Sequence, residues 1–101
     1  MGNATPILEF VYNRYGKATA HKDAVVELRI TYMRKQKYMS TGVRLLPKEW
    51  RNGRVINRVD ALILNKTLDK FMIDVRYILY DMIEKGQIDI FAIPYKLYAK
   101  K

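Results

Sequence analysis

The sequence predicts an α+β domain: a three-stranded antiparallel β-sheet packed on one face by a long C-terminal α-helix. A change of hydrophobic period carries that expectation. Between residues 24 and 45 apolar and polar side chains alternate with period two, the pattern of strands with one buried and one open face. From about Asp60 the apolar residues Leu64, Leu68, Phe71, Val75, Ile78 and Met82 step by four and three, one stripe along a helix. The length of 101 residues suits one such layer pair and a single core, and is too short for two.

Residues 7–15, ILEFVYNRY, are rich in branched and aromatic residues and read as the first strand. The polar stretch GKATAHKD reads as a loop. In AVVELRITYM, Val26, Leu28, Ile30 and Tyr32 fall on one face and Glu27, Arg29, Thr31 and Met33 on the other. Arg34-Lys35-Gln36 is expected to turn the chain; without the Asn-Gly or Gly of a tight primed turn, a looser or bulged tip is expected. The third strand, KYMSTGVRL, places Met39, Thr41, Val43 and Leu45 inward and Tyr38, Ser40 and Arg44 outward, with Gly42 allowing a bulge. Pro47 ends it, and Trp50, the single tryptophan, is expected in the core between sheet and helix. The helix is expected between Asp60 as N-cap and Gly86 just past its end, or from a later start near Asn65. Ile73, Tyr77 and Tyr80 fall on its polar side, either covered by a returning tail or left as a docking surface.

Charge is the strongest functional signal. The chain carries 19 Lys+Arg against 10 Asp+Glu, a formal +9. Residues 12–58 hold twelve bases and three acids, so they carry the whole excess, while residues 59–87 are nearly balanced. Basic charge segregated onto one region points to a polyanionic partner. With no cysteine, disulfides and thiolate metal sites are excluded. His21 stands alone in a polar loop, without the companions a zinc site needs. No phosphate-binding glycine loop, Ser/His/Asp arrangement or activated tyrosine can be assembled, so no cofactor, small-molecule substrate or enzymatic activity is expected. No apolar run approaches the roughly 18 residues of a membrane span and no secretory signal opens the chain, so a cytoplasmic location and no membrane partner are expected.

The run RITYMRKQKYMSTGVRLLPKEW resembles the N-terminal arm-type DNA-binding domain of tyrosine recombinases, the integrases of phages and conjugative transposons. A basic hairpin, Ser40-Thr41-Gly42-Val43, and Pro47 with Trp50 three residues on carry the likeness, followed by a basic linker and a long helix with Asn65 and Leu68 near its start. EFVYNR as first strand is similar too, and the hairpin turn departs from the commoner Gly or Asn. The resemblance implies a non-catalytic module for DNA integration and recombination in a mobile element. Its open sheet face would lie in the major groove of double-stranded DNA at accessory arm sites. Residues 1–87 would be that domain and residues 88–101 a tail towards a core-binding domain not present in this chain. Other recombinase domains or subunits would be further partners.

The residues placed at the DNA are Arg29 and Arg44 for bases or phosphates, Thr31, Tyr38 and Ser40 for phosphates or base edges, and Arg34, Lys35 and Lys37 near the hairpin tip for phosphates, with Arg14 extending the surface. Two other readings stay open. One is an RNA-binding module stacking bases on Tyr38 and Tyr12. The other is a protein-interaction domain working through Ile73, Tyr77 and Tyr80.

Overall fold

A computed structural model describes residues 5–98 of the chain. Strands β1 (Ile7–Tyr12), β2 (Ala24–Tyr32) and β3 (Lys35–Leu45) form one antiparallel sheet in the order β1-β2-β3. A 3-10 turn at Pro47–Glu49 leads into a minimal hairpin, β4 (Trp50–Arg51) and β5 (Arg54–Val55). Helix α1 (Ala61–Lys85) packs on the sheet, and a short helix α2 (Ile93–Tyr98) follows a second 3-10 turn. The α+β architecture read from the alternating and helical periods is therefore the one observed.

One face of the sheet supplies the core. Leu28, Ile30 and Met39 meet Val75, Ile78, Leu79 and Met82 of α1 in one buried cluster. Val26, Val43 and Leu45 meet Val55 and Leu68 in a second cluster. Side chains such as Leu28, Ile30 and Leu68 have no exposed surface, and full burial stabilises each by about 1.5–3 kcal/mol. Trp50 sits half-buried at the edge of the second cluster, its ring 6.1 Å from that of Tyr12. The Tyr12 hydroxyl donates to the Leu45 carbonyl at 2.7 Å, so its ring faces inward.

The turn between β2 and β3 is tighter than the sequence predicts. Tyr32 pairs with Lys35, so only Met33 and Arg34 lie outside the ladder. Both adopt left-handed backbone, φ 51° and 68°. That is the signature of a type I′ turn, whose twist matches the strands it joins. The ladder's pull on both arms overrides the steric preference of two non-glycine residues. Met33→Asn should therefore raise stability by about 0.5–1 kcal/mol, read as a higher melting temperature.

The irregularity expected at the tip lies further along β3. Between the pairs Val25↔Arg44 and Glu27↔Ser40, the single residue Val26 faces Thr41, Gly42 and Val43. Gly42 takes φ 81° there, and the Thr41 hydroxyl donates to the Val26 carbonyl at 2.7 Å. Two extra residues preserve the alternation, so Met39, Val43 and Leu45 all still point into the core.

Helix α1 ends as predicted. Gly86 is left-handed at φ 68°, its N–H donates to Ile83 and that of Gln87 to Met82, the bonding of a Schellman cap. Its start differs in chemistry: Asp60 makes no side-chain cap. Its carboxylate instead receives two N–H groups of Arg58 at 2.8 and 3.1 Å, which hold it below the usual carboxylate range. Asn65, one turn in, accepts from the Val55 N–H at 2.8 Å and donates to the Val55 carbonyl at 3.0 Å, tying β5 to the helix. Beyond Gly86 the chain returns to the sheet–helix core, where Ile90 and Ile93 are 2% and 0% exposed. As far as Tyr98 it does not cover Ile73, Tyr77 and Tyr80, which stay 49%, 67% and 59% exposed among the described residues.

Candidate nucleic-acid interface

The face of the sheet opposite α1 is left uncovered, and strand register decides what it presents. Residues directly opposite one another share a face. Glu9, Arg29 and Tyr38 form one row across the three strands. Val11, Glu27 and Ser40 form the next, and Ile7, Thr31 and Gln36 the third. Arg29, Thr31, Tyr38 and Ser40 are thus brought together on the open face. Arg44 joins the same surface beyond the bulge, beside Val25.

This face is organised by ion pairs. Arg29 Nη2 bonds Glu9 across the strands, and Arg44 Nε donates to Asp23 at 3.0 Å. Arg14, just past the end of β1, donates from Nε and Nη2 to the two oxygens of Glu27 at 2.9 and 3.1 Å. The same guanidinium lies 3.8 Å from the centre of the Tyr38 ring and 4.5 Å from that of Tyr15. The Glu27 carboxylate raises the Arg14 pKa further above its ordinary value. Glu27 is nearly buried beneath this stack at 8% exposure. Three arginines are matched by three carboxylates, the Arg44–Asp23 pair at the loop end and the other two further along, so the face itself is close to neutral and its side chains are held in place.

Lys48, Arg51, Arg54 and Arg58 lie in the segment between β3 and α1, and five further cations lie at the ends of the sheet. Arg34 occupies the turn between β2 and β3. Lys35 and Lys37 share the rows of Tyr32 and Ile30, which puts them at the tip but on the helix side of the strands. Lys17 and Lys22 lie at the opposite end, in the loop before β2. Among the described residues none of these five has a carboxylate partner. A nine-residue strand separates the two groups, a span of roughly 30 Å.

The charge excess read from residues 12–58 therefore does not spread evenly over the open face, because its arginines meet acids that register brings beside them. Those acids were missing from the sequence-based site. Glu9 is twenty residues from Arg29, and only the β1–β2 pairing shows that the two are neighbours. Tyr12 faces inward and Tyr38 is covered on one side by Arg14, so the two rings offered as base-stacking platforms are not free, and the RNA reading loses its support. Among the described residues no group of His, Asp and Glu could hold a metal ion, and no helix is long and apolar enough to cross a membrane.

An uncovered antiparallel sheet face with ordered arginines, cations at both ends and a supporting helix behind defines a small α+β binding module. The family model described as the Arm DNA-binding domain matches residues 11–92. The chain belongs to that family, the arm-type DNA-binding domains of tyrosine recombinases and integrases, and its partner class is DNA. Domains of this family are non-catalytic. No curated protein and no solved structure is matched by the chain.

Proposed function

We propose that the open sheet face enters the major groove of duplex DNA at the accessory arm sites of a site-specific integrase, within a longer recombinase that acts in the cytoplasm. The observation that carries this reading is the arrangement of a near-neutral, ion-paired centre between two cationic ends. A two-stranded ribbon fits the major groove, and cations at its ends reach the phosphates that flank it. Arg29 and Arg44 retain N–H groups beyond those given to Glu9 and Asp23, and these can pair with guanine or with phosphate. Thr31 and Ser40 lie in adjacent rows and can donate to either. Arg34, Lys35, Lys37 and the lysines of the β1–β2 loop contact phosphates. Arg14 acts through Tyr38, whose ring it braces.

Held by a carboxylate, a guanidinium loses less rotamer freedom when it pairs with a base, which favours selectivity over raw affinity. Arg29→Ala should cost about 1–3 kcal/mol of affinity for a selected duplex and relax its sequence preference at one position. Selection from a random duplex pool followed by titration of the variant measures both effects. An unchanged affinity and preference would remove Arg29 from the interface. The docking face itself is tested by NMR titration with duplex DNA at two salt concentrations. Amides of β2, β3 and the β1–β2 loop should shift, and shifts confined to α1 would overturn the reading.

A further inference from the structure

The outward side of α1 carries an apolar stripe that the described fold leaves uncovered. Ile73, Tyr77 and Tyr80 lie on one side of the helix, away from the buried Val75, Ile78 and Leu79. The stripe is bounded by charge at its two ends. Lys66 and Glu84 flank it, and neither has an ion-pair partner among the described residues, whereas Lys70 pairs with Asp74 and Lys85 with Asp81. Eighteen residues, five full turns, separate Lys66 from Glu84. They therefore lie in line with the stripe, one beyond each of its ends, and stand about 27 Å apart, too far to meet within one chain. The level midway between them is Val75, which is also midway between Ile73 and Tyr77.

We propose that this face pairs with the same face of a second copy of the chain, α1 against α1 and antiparallel, about a two-fold axis at the level of Val75. That axis sets Ile73 on the partner's Tyr77 and Lys66 beside the partner's Glu84, each contact occurring twice. In an antiparallel pair each end of this line meets the opposite end of the partner's, so one positive and one negative end are self-complementary. A parallel pair would set lysine against lysine and glutamate against glutamate. The open sheet face lies on the other side of the molecule, so this pairing neither requires nor blocks the DNA contact proposed above. One helix stripe buries less than the roughly 800 Å² per partner of a standard interface, so the dimer is weak, with Kd on the order of 100 µM.

Sedimentation equilibrium of the full chain without DNA, from about 10 µM to 1 mM, tests this across the expected Kd. A monomer–dimer equilibrium is expected, abolished by Tyr77→Asp. Lys66→Glu and Glu84→Lys should each weaken it about tenfold, and the double exchange should restore it to within about threefold of the original. All three positions are exposed, and unchanged circular dichroism melts establish that each variant folds. A chain that stays monomeric at the top concentration overturns the proposal and gives the face to a partner of another sequence. A double exchange no better than either single one overturns the two-fold register.

Discussion

A chain cut after Gln87 is expected to lose its cooperative thermal transition, or to melt far below the full chain. The cut falls where the helix pattern ends in the sequence, yet it removes Ile90 and Ile93, 2% and 0% exposed, from the cluster between sheet and helix. Losing the burial of two such side chains costs about 3–6 kcal/mol before the cavity is counted. The partly buried Ile88, Ala92 and Leu97 pack against the same cluster and add to the loss. Against a total stability of about 5–15 kcal/mol for a small domain, that is enough to unfold most of the population. The match to the Arm DNA-binding domain also runs past Gln87, to residue 92. Circular dichroism melts of the two lengths decide it. Equal melting temperatures would mean that the residues after Gln87 contribute nothing to the core.

Affinity for duplex DNA should fall about a thousandfold between 50 and 200 mM salt, with a log–log slope of roughly −5. The estimate comes from the five cations at the ends of the sheet that lack carboxylate partners: Lys17, Lys22, Arg34, Lys35 and Lys37. Each phosphate they neutralise releases condensed counterions, and that release is what salt opposes. The arginines of the open face contribute little to the slope, because binding does not change the net charge of a pair already formed with Glu9, Asp23 or Glu27. Replacing Arg34 and Lys35 together by alanine should make the slope shallower by about two, with little change in sequence preference. Replacing Arg29 should do the reverse. A slope that responds equally to both changes would show that ends and centre do not divide the work in this way.

The two periods in the sequence are enough to read three strands, a helix and the faces of β2 and β3, since alternation every two residues and every 3.6 is imposed by backbone geometry alone. Val26, Leu28 and Ile30 are all buried, and Arg29 and Thr31 lie on the opposite face, as that alternation requires. The Gly86 cap is legible for the same local reason. Less legible was the stretch after Pro47, where a two-residue hairpin is too short to show a period. The tail was misleading because two apolar residues in a polar run, Ile90 and Ile93, carry no signal of what they will touch. The Met33-Arg34 turn shows a local preference overridden by the strands around it.

By itself, then, the sequence determined the layer architecture, the uncovered face and the sign of the charge, because each depends on residue type and on spacing within one element. Only the tertiary structure decided which acid sits beside which arginine, that five cations of the sheet without partners stand at its two ends, and that the tail, as far as Tyr98, closes the core while leaving Ile73, Tyr77 and Tyr80 bare. These depend on the register between strands and on the path of the chain after α1. Both are set by contacts between residues far apart in sequence, such as Glu9 with Arg29 and Ile93 with the core cluster around Ile78. Such contacts leave no periodic trace, so they become visible only once the chain has folded.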